Sequence, residues 1–218
     1  MRLRLLAVLL MVSAAAAASN VAMHTVWKIG ESDNSARELA LGPDCYSKFL
    51  EHDFGYEDRY FLVGRSVPSK DFPYILPGPD DRWGGTSGTA GLRTHEVNIL
   101  FALQTVGAKD KARLVVDLAG VNARRAAVKV TVNGRSARYD LNGTSDSAAY
   151  GRQTAADERV VELPLTADDL RCGGNSVTIT VLEGSWIVFD HVRLEATRGV
   201  KMAPLHRDFF VRSVAAAP

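Results

Sequence analysis

The stretch VTITVLEGSWIVFDHVRLE, residues 177–195, decides the class of fold. It opens with valine and isoleucine alternating with threonine, a period of two that is typical of a half-buried strand. A weak turn signal at Glu183-Gly184-Ser185 separates this segment from a second apolar segment. In the second segment, Ile187 and Phe189 alternate first, and a kink near Asp190 precedes the apolar residues that follow. Both segments therefore predict β-strands.

The same alternation recurs upstream, between clear turn signals. The apolar residues that carry it are Val97, Ile99, Phe101 and Leu103, then Leu114, Val116 and Leu118, then Val128, Val130 and Val132. Asn133-Gly134 is a strong hairpin signal, and Gly173-Gly174-Asn175 indicates another turn. A single helical turn is predicted at 166–170, with Thr166 as its N-cap. Many short strands with turns between them predict an all-β, antiparallel sandwich.

The N-terminus has the pattern of a secretory signal peptide. Arg2 and Arg4 precede a short apolar run and a series of small residues that ends with Ala-x-Ala spacing. We therefore expect a signal peptide at residues 1–18 and a secreted or periplasmic protein; an uncleaved membrane anchor is the alternative. One β-sandwich domain is expected over residues 24–198, followed by a tail of uncertain order at 199–218.

The charge of the chain bears on its partners. Loss of Arg2 and Arg4 with the signal peptide lowers the formal net charge from +1 to −1. A nearly neutral surface argues against nucleic acid and anionic membranes as partners. We expect a monomer with no membrane insertion once the signal is cleaved.

Cys45 and Cys172 are the two cysteines of the chain. An oxidising compartment would permit a disulfide between them, and two separate buried thiols are the alternative. Neither cysteine has the neighbouring cysteine or histidine spacing of a zinc site.

The stretch RYFLVGRSVPSKDFPYILPGPDDRW, residues 59–83, supplies the candidate binding residues. Its four prolines restrict the backbone, which predicts a stiff loop. A site of mixed polarity needs a flat apolar ring and directional polar groups, and arginine can bind a carboxylate through two hydrogen bonds. The residues of these types are Tyr74, Asp80, Arg82 and Trp83, with Arg93 downstream. In the alternative interpretation, Tyr74 and Trp83 close the edge of the sandwich and Arg82 pairs with Asp80 or Asp81.

Several short blocks of the sequence point to one family. They are Trp27-x-Ile29-Gly30, Gly64-Arg65-Ser66, Asp71-Phe72-Pro73-Tyr74, the turn from Pro77 to Trp83, Arg93-Thr94-His95, and Phe189-Asp190 with Val192 to Glu195. In this order they resemble the C-terminal domain, domain III, of rhamnogalacturonan lyases, polysaccharide lyase family 4. The likeness runs from about His24 to Ala196 and adds His95 to the candidate carbohydrate-binding residues.

The resemblance implies a jelly-roll sandwich of the galactose-binding-like or carbohydrate-binding-module-like type. It implies recognition of pectic or other plant polysaccharide, with a separate catalytic protein as a further partner. The catalytic lysine and histidine of those lyases belong to a domain that this sequence does not match, so no catalytic residue is assigned. Lyase activity, in the chain itself or in a lyase assembly, is one alternative. A structural docking module without a sugar ligand is another.

The sequence suggests one cofactor, a structural calcium ion. Glu31, Asp33 and Asp190 offer hard oxygen ligands of the kind that related sandwich modules use for calcium. The alternative for Asp190 is an ion pair with Arg193 or a hydrogen bond to a turn.

Overall fold

Two β-sheets face each other in the computed structural model, which describes residues 22–51, 57–81 and 95–205, with the backbone alone at 49–51. The strands are β1 (His24–Ile29), β2 (Arg59–Leu62), β3 (Ile75–Pro77), β4 (Glu96–Thr105), β5 (Lys111–Val121), β6 (Arg125–Val132), β7 (Arg135–Asn142), β8 (Arg159–Thr166), β9 (Gly173–Glu183), β10 (Trp186–Ala196) and β11 (Lys201–Ala203). Two short helices, α1 (Tyr46–Glu51) and α2 (Pro68–Asp71), and 3₁₀ turns at Pro43–Cys45, Asp146–Tyr150 and Ala167–Asp169 connect them. The predicted all-β sandwich is confirmed.

The first sheet has the order β1-β10-β5-β8, and β3 pairs with the same edge of β10 as β1 does. The second sheet has the order β11-β4-β9-β6-β7, and β2 shares with β11 one edge of β4. The strand pairs are antiparallel except β2 with β4, which run parallel. The predicted antiparallel sandwich therefore contains one parallel pair of strands.

Consecutive strands β9 and β10 lie in different sheets, so the turn between them crosses from one layer to the other. Gly184 makes this turn at φ +94°, and a Cβ on it would lie 2.3 Å from the carbonyl oxygen of Arg125. A side chain at this position would be strained and would also collide with the neighbouring strand. Glycine is thus required at this position, where the chain crosses from one sheet to the other.

The core lies between the two sheets. The residues predicted from alternation line it, and each is at most 1% exposed: Val97, Ile99, Phe101, Leu103, Leu114, Val116, Leu118, Val128, Val130, Val132, Val177, Ile179, Val181, Ile187, Phe189, Val192 and Leu194. The ring of Phe72 packs edge-on against Phe61 and Phe189, with centroids 5.7 and 5.0 Å away. Full burial of one such side chain stabilises the fold by roughly 1.5–3 kcal/mol.

The turn predictions have mixed outcomes. Asn133-Gly134 forms the β6–β7 hairpin turn, with both residues at positive φ, and the helical turn after Thr166 carries the predicted cap. The register of β10 against β5 shifts on both sides of Phe189, which confirms the kink beside Asp190. The turn predicted at 173–175 is wrong, because β4 pairs with these residues and makes them the start of β9.

The sandwich extends past the expected boundary at residue 198. Lys201–Ala203 forms β11 and pairs with β4, so the first part of the expected tail is a strand. The expected signal peptide at 1–18 and residues 206–218 lie outside the described residues. No helix in the described ranges is both long and apolar enough to cross a membrane.

Candidate functional site

A hollow of about 770 Å³ opens at the end of the sandwich where β3, β5 and β9 finish. We call it the end hollow. Its walls are the turn after β3, the β5–β6 loop, the 3₁₀ turn Asp146–Tyr150 and the β9–β10 turn. The volume is typical of sites that bind small molecules or parts of a polymer, which are commonly about 300–1,000 Å³. This is therefore the candidate binding site.

The buried Asn122 holds the floor of the end hollow in place. Its Nδ2 donates to the carbonyl oxygens of Arg125 and Trp186 at 3.1 and 3.3 Å, and its Oδ1 accepts from the backbone N–H of Arg124 at 3.2 Å. The loop therefore reaches its shape through bonds within the protein. A ligand would not have to order it, which lowers the entropic cost of binding.

Two aromatic rings contribute to the end hollow in different ways. Trp186, the first residue of β10, is only 6% exposed and forms part of the floor. Tyr150 is 41% exposed and lies at the rim. Tyr150 is therefore the ring that can offer a flat apolar surface to a sugar.

Only some of the charged side chains around the end hollow form ion pairs with other described residues. Arg125 pairs with Glu183 at 3.2 Å, and Glu183 also accepts from Arg138 at 2.7 Å. Arg124 is exposed and forms no ion pair with any of the described residues. Asp146 accepts the backbone N–H of Ala123 through Oδ1 at 2.9 Å. The hollow thus offers one uncommitted guanidinium group beside carboxylate acceptors.

The structure separates the predicted site residues. Asp80 is exposed and borders the end hollow, where its backbone N–H donates to the carbonyl of Gly184 at 3.1 Å. Tyr74 is fully buried, so the expectation that its ring faces a sugar is wrong. The apolar core encloses this ring, and burial raises the pKa of its hydroxyl. His95 is 1% exposed and does not line the hollow, so it is not placed to contact a sugar there.

Arg82, Trp83 and Arg93 lie outside the described residues, and their role in carbohydrate binding stays a prediction. The sequence reasoning missed Asn122, Arg124 and Tyr150. Adjacent arginines between two predicted strands were the available signal. Two adjacent arginines in a loop do not by themselves indicate a site. They do so only once the strand order shows that this loop lies beside the other loops of the end hollow.

The expected calcium ligands do not converge. Among the described residues, the acidic and imidazole ligand atoms that lie within 4.8 Å of one another belong to Asp117, Asp190 and His191. Glu31 instead pairs with Lys28 at 2.5 Å. Asp190 Oδ1 accepts the backbone N–H of Ser35 at 2.9 Å. Asp190 therefore holds the loop after β1, which agrees with the alternative of a turn hydrogen bond.

The three buried groups lie close together between β5 and β10, and His191 is hydrogen-bonded to Asp190. His191 Nδ1 lies 3.0 Å from Asp190 Oδ2 and 3.8 Å from Asp117 Oδ2, and the Arg193 guanidinium contacts His191 Nε2. Burial raises the pKa of Asp117 to about 6, and the nearby Asp190 adds to the increase.

The disulfide considered from the sequence is not formed, and the two separate thiols are exposed, whereas the alternative had placed them in the interior. Cys45 lies in the 3₁₀ turn next to Tyr46, near the end hollow. Cys172 lies just before β9, at the end of that strand remote from Glu183. The two thiols therefore belong to opposite ends of the sandwich, too far apart for a bridge.

Several known structures are weakly similar to this chain. No curated protein matches this chain. Among solved structures, a family 35 carbohydrate binding module from an environmental isolate is similar, at 12% identity and a TM-score of 0.37, over 51% of this chain and 72% of that chain. The family 35 module of Abf62 from Cellvibrio japonicus is similar at 16% identity and a TM-score of 0.33, over 51% and 71%. A third, Xyl-CBM35 in complex with a glucuronic acid containing disaccharide, shows 13% identity and a TM-score of 0.33, over 50% and 72%.

The family comparison is more specific. The family described as CBM-like, polysaccharide lyase family 4, domain III, matches residues 25–194, from β1 to near the end of β10. The match includes the loops that form the end hollow. The chain therefore belongs to the carbohydrate-binding-module-like domain III family of polysaccharide lyase family 4.

Proposed function

We propose that this domain is exported and binds an acidic plant polysaccharide of the pectic type in the end hollow. One observation carries the proposal: Arg124 has no acidic partner among the described residues and lines the same hollow as the exposed ring of Tyr150. An uncommitted guanidinium group suits the carboxylate of a uronate residue, since the two groups match in a bidentate geometry. Membership of the domain III family supports carbohydrate as the class of ligand.

Each group of the hollow has a defined part in this proposal. The Tyr150 ring lies against one face of a pyranose, and Arg124 binds the carboxylate. Asp80 and Asp146 accept hydrogen bonds from sugar hydroxyls. A hydrogen bond to a charged group contributes about 1.5–3 kcal/mol, which corresponds to roughly 10- to 100-fold in affinity. Arg124 should therefore separate acidic from neutral glycans, and Tyr150 should contribute to binding of both.

The biological role that follows is targeting. A domain that holds a pectic chain near a separate catalytic protein raises the local concentration of substrate at that protein.

Lyase activity in this chain is the competing proposal. It predicts unsaturated products, which absorb in the ultraviolet, after incubation with rhamnogalacturonan.

The test compares binding of polygalacturonate and of a neutral galactan by affinity electrophoresis and calorimetry. The wild type should prefer the acidic polymer. Arg124→Gln should weaken binding of polygalacturonate about tenfold or more and leave galactan binding unchanged. Arg171→Gln, an exposed arginine at the opposite end of β9, is the matched control and should change neither.

Two outcomes would count against the proposal. If no acidic or neutral polysaccharide binds to the wild type, a docking module without a sugar ligand becomes the better account. If Arg124→Gln and Arg171→Gln weaken acidic binding equally, the effect is one of overall charge, and the end hollow is not the site.

A further inference from the structure

A second hollow, of about 420 Å³, lies beside the end hollow and is lined by Pro43, Asp44, Tyr46, Tyr150 and Arg152. We call it the side hollow. Tyr150 lines both hollows. The two hollows are therefore adjacent and share the Tyr150 side chain.

The chain builds the side hollow by bringing two distant segments together. Gly151 ends the 3₁₀ turn Asp146–Tyr150 in the left-handed conformation, at φ +70°. A Cβ on Gly151 would lie 2.9 Å from the Cβ of Pro43, closer than side-chain carbons normally approach. Because Gly151 has no side chain, Tyr46 can reach Tyr150, and the two ring centroids are 5.2 Å apart.

The two tyrosine rings are exposed and perpendicular. Tyr46 is 39% exposed and Tyr150 is 41% exposed, with an angle of 82° between the ring planes. Perpendicular rings present their flat faces in different directions, so a single sugar cannot lie flat on both. Two rings in this arrangement suit two different sugar units of one chain.

The charges of the side hollow resemble those of the end hollow. Asp44 is already paired with Arg37, at 3.2 Å. Arg152 is exposed and forms no ion pair within the part of the chain that the structure describes. Its backbone is fixed by a hydrogen bond from its N–H to the carbonyl of Ser147 at 3.1 Å. Each hollow thus combines an exposed tyrosine ring with an uncommitted arginine.

We propose that the side hollow is a second sugar subsite, and that the domain binds an internal stretch of an acidic polysaccharide across Tyr150. This rests on the proposed function of the end hollow. Arg124 and Arg152 then bind two carboxylates of the same chain, while Tyr46 and Tyr150 contact separate sugar units. Linking two weak contacts on one ligand strengthens binding, because the second contact forms within the complex.

The experiment measures affinity by calorimetry for oligogalacturonides of two and six residues. The wild type should bind the six-residue ligand about tenfold or more tightly than the two-residue ligand. Tyr46→Ala and Arg152→Gln should each remove most of that gain, and Arg152→Gln should leave the affinity for the two-residue ligand unchanged. Tyr60→Ala and Arg171→Gln, at exposed positions outside both hollows, are the matched controls and should retain the gain.

The outcomes separate this inference from the proposed function. If the wild type binds neither ligand, the proposed function fails and the inference falls with it. If both lengths bind equally, or if the gain survives in Arg152→Gln, the end hollow is a site and the side hollow is not. Arg152→Gln keeps the test decisive if Tyr46→Ala disturbs the fold, because the Arg152 side chain is at the surface.

Discussion

The hydroxyl of Tyr74 donates a hydrogen bond to the carbonyl oxygen of Ala149 across 3.2 Å. Tyr74 belongs to the core, and Ala149 immediately precedes the exposed Tyr150 that lines both hollows. This bond ties the segment that carries the candidate sugar-binding ring to the interior of the sandwich. The sequence suggested Tyr74 as a ligand contact, but in the structure it supports the position of Tyr150.

Tyr74→Phe tests that support. The substitution removes the hydroxyl and leaves the buried carbonyl of Ala149 without this partner, so it should lower the free energy of unfolding by about 1 kcal/mol. It should also weaken binding of acidic oligosaccharide, because Tyr150 is held less firmly. Urea denaturation and calorimetry measure the two effects. Tyr60→Phe, at a position 49% exposed, is the control. An unchanged stability would show that the bond contributes nothing.

Asp117 should make stability depend on pH. Burial raises its pKa to about 6 in the folded protein, against 3.8 for the unperturbed group. The folded state therefore holds this proton more tightly than the unfolded chain, and stability falls as pH rises from about 4 to 6. The loss from this group is complete about one pH unit above the folded pKa, and a shift of that size corresponds to roughly 3 kcal/mol.

Asp117→Asn removes this titration. Relative to the wild type, the variant should gain stability as pH rises from 4 to 7, measured by urea denaturation across the range. If the variant does not fold, NMR titration of the Asp117 carboxyl in the wild type gives the same test. A difference that stays constant with pH, or a carboxyl that titrates near pH 4, contradicts the prediction.

The two cysteines should behave as free thiols. Because both are exposed and lie at opposite ends of the sandwich, a thiol reagent should modify Cys45 and Cys172 in the native protein without reductant. Replacing either one by serine should leave the free energy of unfolding within about 0.5 kcal/mol of the wild type. A mass two hydrogens lower before reduction, with no thiol reactivity, would instead demonstrate a disulfide.

The strand pattern and the family could be predicted because both depend on local order in the sequence. Alternation placed Val97 to Leu103 and Val177 to Val181 on buried faces, since successive side chains of a strand point to opposite sides. The Asn133-Gly134 turn was equally predictable, because both residues must adopt positive φ there. The family rests on short blocks whose order along the chain needs no structure.

Tertiary structure alone decided where these strands went and which side chains meet. Sequence could not show that β9 and β10 enter different sheets, or that Gly173 and Gly174 pair with β4 rather than turn. Tyr74 has the composition of a binding residue, yet its ring is buried by strands distant along the chain. The end hollow joins Asp80, Arg124, Tyr150 and Trp186, whose proximity depends on strand order and on the close approach of loops at one end of the sandwich. These contacts are long-range, and no periodicity within a segment encodes them.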